Sequence, residues 1–260
     1  MLAAVVFGAA QAPTTKPVAV SPKPFEKQWD KPLGLPGKLG IAVGTRRVIV
    51  SDDQAGIEAH TVEDGSLAWA RKDLPTPVPV VLSGGLAFVA SKGQLHALDE
   101  VTGDTRWSHD VADRVAGLLP SETGAVIAAG STIQAWSANG AQVWKQTPAA
   151  DVIPSSFASD ANVLYAGLAD KTLTALDAKT GSVLWTKRLA TTPRALTAAM
   201  GRVYFGGDDK RLYGYDAKGK KKLDFRRMDV TGPPARDDKH VYVATLFPFT
   251  TLFRSRKSVV

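Results

Sequence analysis

Residues 95–107 read LHALDEVTGDTRW and residues 173–185 read LTALDAKTGSVLW. Both strings place alanine, leucine and aspartate in succession, then a short turn ending in Thr-Gly, then tryptophan four residues after the glycine. Outward from the pairs Gly103/Trp107 and Gly181/Trp185, the same frame recurs at Gly65/Trp69 and Gly140/Trp144. It recurs once more at Gly219/Leu223, with leucine in the tryptophan position. Trp69, Trp107, Trp144 and Trp185 stand 38, 37 and 41 residues apart. That period is too long for a coiled coil and matches one four-stranded propeller blade. The repeat therefore accounts for most of the tryptophans and turn aspartates as structure before any site chemistry is invoked.

Upstream of each turn lies a strand whose columns align: residues 57–61, 95–99, 133–137, 173–177 and 212–216. Its third column is Ala59, Ala97, Ala135, Ala175 and Gly214, small in every copy, as expected where neighbouring sheets stack closely. Side chains alternate across a strand, so the first, third and fifth columns share one face. Before it runs a second strand, at Val48–Val50, Leu86–Val89, Val126–Ala128, Val163–Tyr165 and Val203–Phe205, rich in β-branched and aromatic residues. These read as inner strands, preceded by a more variable one such as 78–82. A sixth copy begins at Val241-Tyr242-Val243 and stops. No stretch of the repeat region shows a sustained 3.6-residue apolar period with caps, so no helix is expected there.

The turns explain their own residues. Asp99, Asp177 and Asp216 can accept hydrogen bonds from backbone N–H groups further along the turn. Gly65, Gly103, Gly140, Gly181 and Gly219 can take the positive φ that closes it. Trp69, Trp107, Trp144 and Trp185 are expected to wedge between adjacent blades. These twelve residues are structural anchors of the repeat, and no catalytic, cofactor-binding or metal-ligating residue is nominated.

The two strings quoted first resemble the pyrroloquinoline-quinone (PQQ) repeat, Ala-x-Asp-x-x-Thr-Gly-x-x-x-Trp, and match it at every specified position. The first copy departs at Thr61 and the third at Ser137, both standing for the aspartate, and the fifth at Leu223. The resemblance implies an all-β, quinoprotein-like β-propeller of four-stranded antiparallel blades. It is far less specific for function, because the same repeat serves dehydrogenases, an outer-membrane assembly factor and sensory ectodomains. Among these, the chain is most similar to the BamB-like outer-membrane assembly factors. Phe25-Glu26-Lys27-Gln28-Trp29 ends 40 residues before Trp69, one repeat step, and is expected to be the stray outer strand that closes such a ring. The acylated cysteine of that family is missing, since the chain has no cysteine.

At the amino end, residues 1–12 are apolar and close on Ala10-Gln11-Ala12, a small-x-small cleavage signature, so a signal peptide and an extracytoplasmic, periplasmic location are expected. Twelve residues are too few for a membrane-spanning helix. Residues 13–24 hold Pro13, Pro17, Pro22 and Pro24 and read as an extended tether. Residues 25–244 carry the propeller, about five blades and the start of a sixth, expected to be part of a seven- or eight-bladed ring cut short. Residues 245–260 resemble the translation of a short-read sequencing adapter and are expected to be artefactual.

The net charge of +7 shrinks to +2 over residues 25–244, once Arg254, Arg256 and Lys257 in the tail and Lys16 and Lys23 in the tether are set aside. That argues against nucleic-acid binding. The cluster Lys218, Lys220, Lys221, Lys222, Arg226 and Arg227 reads as a solvated hairpin tip, with an anion contact as the sharper alternative. His60, His96, His109 and His240 have no metal-ligand spacing, and the pairs Asp52/Asp53, Asp208/Asp209 and Asp237/Asp238 are explained by turns. A quinoprotein would use acidic groups at the ring centre for calcium and PQQ. The expectation is instead a monomeric, non-catalytic scaffold for other proteins, without cofactor, in an envelope assembly complex. A dehydrogenase fragment and the sensor ectodomain of a receptor or kinase are the alternatives.

Overall fold

The computed structural model describes residues 3–8, 29–37, 39–112, 114–226, 235–236 and 240–245. After β1 (Ala3–Gly8), twenty strands fall into five sheets of four. The first blade is β2 (Leu39–Val43), β3 (Arg47–Asp52), β4 (Gly56–Thr61) and β5 (Leu67–Arg71). The second is β6 (Val81–Ser83), β7 (Leu86–Ser91), β8 (Gln94–Asp99) and β9 (Thr105–Asp110). The third is β10 (Val115–Ser121), β11 (Gly124–Ala129), β12 (Thr132–Ser137) and β13 (Gln142–Gln146). The fourth is β14 (Val152–Asp160), β15 (Val163–Leu168), β16 (Thr172–Asp177) and β17 (Val183–Arg188). The fifth is β18 (Pro193–Ala199), β19 (Arg202–Gly207), β20 (Arg211–Asp216) and β21 (Lys221–Arg226).

Each blade is an antiparallel meander in chain order. The leading strands of successive blades lie against one another, β6 on β10, β10 on β14 and β14 on β18, so they form the inner rank of a propeller. The runs expected as inner strands lie inside each sheet, paired on both sides, and β7 and β11 are buried at all six positions. The fourth strands are the exposed outer rank, with Leu67, Val143, Val183 and Leu184 all about half exposed or more.

Four apolar clusters account for the core, and each is built from residues of two consecutive blades. Between the second and third, Phe88, Leu95 and Ala97 meet Ala125, Ile127 and Trp136. Between the third and fourth, Val126, Ile133, Ala135 and Trp144 meet Phe157, Leu164 and Leu176. Burial between blades, rather than within one, is what a single four-stranded sheet cannot achieve alone.

A further sheet is made of β22 (Ala235–Arg236), β23 (His240–Thr245) and β1, with β1 antiparallel to β23 from Ala3↔Thr245 to Gly8↔His240. Thus residues 3–8 of the expected signal peptide form a strand, and Val241-Tyr242-Val243 lies in its partner. The cleavage position, the tether, Phe25 to Gln28, Arg227, Asp237/Asp238 and residues 246–260 fall outside the described residues. Among the described residues no helix is long and apolar enough to cross a membrane.

Candidate functional site

Every anchor tryptophan reaches across to the following blade. The indole Nε1 of Trp69 donates to the carbonyl of Glu100 at 3.0 Å, Trp107 to Ala138 at 2.8 Å, Trp144 to Ala178 at 3.1 Å and Trp185 to Ala217 at 2.7 Å. Each ring then lies over the glycine of that blade's turn. A Cβ on Gly103 would stand 2.7 Å from Trp69, on Gly140 3.1 Å from Trp107, on Gly181 2.6 Å from Trp144 and on Gly219 2.9 Å from Trp185. These glycines also have positive φ, +78°, +85°, +72° and +74°. Sequence reasoning supplied the second cause and missed the first: the glycine of one repeat is the seat for the tryptophan of the repeat before it. Trp29 extends the series, donating to Val62 at 2.9 Å and lying 2.6 Å from a Cβ on Gly65. Its position one repeat step ahead of Trp69 was the signal that placed it.

In the second and fourth blades the small third column has its cause within the sheet. Ala97 pairs with Phe88 on one side and Trp107 on the other, and Ala175 with Tyr165 and Trp185. The middle methyl lets the flanking rings meet above it, centroid to centroid at 5.8 Å in the second blade and 6.0 Å in the fourth. In the fifth blade the row is Tyr204, Gly214 and Leu223, and a Cβ on Gly214 would be 3.0 Å from Leu223 and 3.1 Å from Tyr204. A bulge sits beside every row, between the third and fourth columns of the strand, in all five blades. It re-aims the outer strand and increases its twist.

The turn aspartates behave as their chemistry demands. Asp99 Oδ1 accepts from the N–H of Val101 at 2.9 Å and Thr102 at 3.0 Å, and Arg106 donates to Oδ2 at 2.7 Å. The Arg106 guanidinium, with the Thr102 and Val101 amides, holds the Asp99 carboxyl down to about 2. Asp177 accepts from Lys179 and Thr180, both at 2.9 Å, and Asp216 from Lys218 at 3.1 Å and Lys220 at 2.8 Å. The Thr180 and Lys220 amides respectively lead in lowering those two carboxyls. Where the repeat departs from aspartate, Thr61 takes the Ser66 N–H at 3.2 Å and Ser137 the Ala141 N–H at 3.1 Å.

Among the described residues, the other polar groups singled out in the sequence are occupied locally. Asp52 is fully buried; burial works to raise its carboxyl, but the amides of Ala55, Gln54 and Gly37 outweigh that and leave it below the usual range. Asp208 is paired with Arg194, and Asp209 accepts from the Tyr213 hydroxyl. Lys210, standing where a hairpin would place glycine, takes φ +60°. His60 contacts the Gly65 carbonyl at 3.1 Å, His96 the Ser108 hydroxyl at 2.7 Å and His109 the Gly140 carbonyl at 2.7 Å. The basic hairpin is partly neutralised by Lys221 on Asp224 at 2.9 Å and Lys222 on Asp216 at 3.3 Å. Among the described residues no three His, Asp or Glu side chains gather as a metal site.

One feature escaped the sequence reading. Between the third and fourth blades opens a cleft of about 460 Å³, floored by Val126, Ala135, Trp144 and Leu164. At its mouth Lys179 Nζ meets Glu122 Oε2 at 3.2 Å. It is a predominantly apolar recess with a charged rim.

Against known proteins, the family described as outer membrane protein assembly factor BamB matches residues 18–130 and 129–228. An outer membrane protein assembly factor BamB from Yersinia pestis is 25% identical over 219 residues, covering 75% of this chain and 55% of its own length. The serine/threonine-protein kinase AfsK of Streptomyces griseus is 30% identical over 181 residues, covering 61% of this chain and 22% of the kinase. The crystal structure of BamB from Moraxella catarrhalis aligns with a TM-score of 0.64 at 14% identity, over 84% of this chain and 75% of that one. A europium-containing methanol dehydrogenase aligns at 0.59 and 13% identity, over 75% and 52%. At such identities the two structures speak for the fold alone, and both are built on it. With the matched repeats running almost unbroken from residue 18 to residue 228, this chain belongs to the BamB family of PQQ-repeat β-propellers.

Proposed function

We propose that the chain is a non-catalytic, extracytoplasmic scaffold that binds other proteins and takes part in assembling outer-membrane proteins. The observation that carries this reading is the match of the BamB family over nearly the whole repeat region. The disposition of chemical groups agrees with it. Among the described residues, the aspartates, histidines and tryptophans singled out above are engaged in turn closure, strand pairing and blade docking. What the fold leaves free is surface: blade-edge turns and the cleft beside Trp144. No cofactor is part of the proposal.

An affinity-tagged full chain, expressed in its source and cross-linked in intact cells, is the direct test. Recovery of outer-membrane assembly components with the tagged protein is expected, and recovery of no envelope protein refutes the scaffold reading. The identity to AfsK favours a second reading, the sensor region of a kinase. A kinase domain encoded in the same polypeptide would select it.

A further inference from the structure

The small net charge of the repeat region conceals a segregation. Residues 39–110, which span the first two blades, carry six Lys and Arg against ten Asp and Glu, a net −4. Residues 193–226, the fifth blade, carry nine against four, a net +5. The excess gathers along that blade's outer edge: Lys218 and Lys220 stand in the turn before β21, and Lys221, Lys222 and Arg226 are exposed in the strand itself. Pairing within the sheet adds to the crowding, because Arg226 lies directly opposite Arg211 of β20. Like charges so placed cost an antiparallel pair stability. Asp224 sits among them, met by Lys221 Nζ at 2.9 Å and by Arg211 Nη1 at 3.5 Å. The hydrogen bond from Lys221 leads in lowering its carboxyl, and the charges of Arg211 and Arg226 add to it. The fourth blade brings a further cation to the same place. Arg188, at the end of β17, lines with Arg211, Lys221 and Asp224 a hollow of about 180 Å³ between the two blades, walled by Tyr213 and Tyr215. Among the described residues, Lys187, Arg188, Lys218, Lys220 and Arg226 enter no ion pair.

We infer that the outer edge of the fifth blade, with the hollow it shares with the fourth, is a docking face for an acidic segment of a partner protein, one carboxylate side chain entering between Arg188, Arg211 and Lys221. Charge complementarity defines the occupant. Asp224 already shows the position of a carboxylate there, and the cations around it outnumber what it can pair with. Guanidinium groups bind carboxylates through short, directional hydrogen bonds, so the two arginines give the face geometry as well as charge. An anionic bilayer fits less well. A surface that lies on a membrane joins its cations to apolar side chains that enter the acyl boundary. Among the described residues of β19, β20 and β21 no large apolar side chain is exposed, and Leu223 and Phe225 are part-buried between the charged positions. A hollow between two blades also receives a side chain rather than a flat array of headgroups. The inference rests on the protein-binding reading given above and assigns the partner a charge and a place.

The test uses the full chain and two labelled peptides, hexaglutamate and hexaglutamine, followed by fluorescence anisotropy. Hexaglutamate is expected to bind saturably, about tenfold or more tightly than hexaglutamine, and to weaken several-fold between about 50 mM and about 300 mM salt, as screened contacts do. The combined variant Arg188→Glu, Lys220→Glu, Arg226→Glu reverses three exposed cations of the face and is expected to weaken hexaglutamate about tenfold or more. The same three positions changed to Gln, a milder alteration that keeps the fold if the reversal does not, are expected to weaken it severalfold. Arg46→Glu, Lys72→Glu, Lys145→Glu lowers net charge equally at exposed sites elsewhere and is expected to leave binding within about twofold. Absence of saturable hexaglutamate binding, equal losses in the two reversed variants, or sedimentation with phosphatidylglycerol vesicles in place of peptide binding overturns the inference. The cellular cross-linking assay separates the two claims. Partners retained by the variant reversed at Arg188, Lys220 and Arg226 overturn the acidic docking face and spare the scaffold, whereas no partners for the unaltered chain overturn the scaffold itself.

Discussion

The seat of one tryptophan on the next blade's glycine can be measured at Gly103. Gly103 and Gly201 both lie in turns with positive φ, +78° and +66°, but a Cβ on Gly103 would meet Trp69 at 2.7 Å whereas one on Gly201 would meet nothing within 4 Å. Gly201→Ala therefore isolates the backbone cost. A left-handed L-residue costs about 1–2 kcal/mol, partly offset by the lower entropy of the unfolded chain, so about 1 kcal/mol is expected. Gly103→Ala adds the displacement of the indole by roughly 1 Å, since carbon atoms pack at about 3.5–4.0 Å. That shift breaks the 3.0 Å bond from Trp69 to Glu100, worth about 1 kcal/mol, and loosens a ring whose full truncation costs about 3–5 kcal/mol. The expected total is about 3–4 kcal/mol. Urea denaturation of the full chain reads it, and a double-mutant cycle isolates it: with Trp69→Ala in place, Gly103→Ala should fall back to about 1 kcal/mol. Equal losses at Gly103 and Gly201, or additivity in the cycle, would refute the docking account.

Gly181→Ala should cost less than Gly103→Ala although its contact is closer, 2.6 Å, because the cleft beside Trp144 leaves the edge of its ring room to shift; the same urea assay decides. Trp107→Ala, hemmed by Phe88, Trp136 and His109, is expected to lose about 3–5 kcal/mol, and an unchanged melting temperature would exclude the wedge. Asp99 has its folded-state carboxyl lowered from 3.8 to about 2, so its contribution is present above about pH 4 and is lost as pH falls toward 2. Urea midpoints of wild type and Asp99→Asn should therefore differ at pH 6 and converge near pH 2, and a constant gap would exclude the charge.

The sequence carried the fold because the repeat writes each constraint five times. Alignment of Ala59, Ala97, Ala135, Ala175 and Gly214 announced a crowded column, although the crowding comes from rings within the same sheet more than from the neighbouring blade. The positive φ of Gly103 and Gly181 was readable from turn chemistry, but their second duty was not. It depends on a tryptophan about 34 residues upstream, and one-dimensional spacing shows only that Trp107 follows Gly103, not that Trp69 covers it. The aspartate turns were legible because their partners lie within two to four residues. The cleft was not, since a void is a property of two facing blades, and Val126 in a β-branched strand looks like any other good strand residue.

That contrast locates where function can be written in such a molecule. Residues that obey the repeat are committed to blade closure and docking, and substituting them tests the fold. Freedom lies at the departures, and they differ in consequence. Thr61 and Ser137 replace aspartate and each still accepts a backbone N–H across the turn, so those departures leave it closed. Leu223 replaces tryptophan beside Gly214, whose missing side chain leaves Tyr204 and Leu223 in contact range of its backbone, and the row stays filled. Trp136 replaces leucine and is absorbed by His109, stacked on it at 4.2 Å. Ile49 and Val126 stand where the other three blades have a ring, and both are wholly buried; beside Val126 the two blades still leave the cleft, open at the Glu122–Lys179 rim.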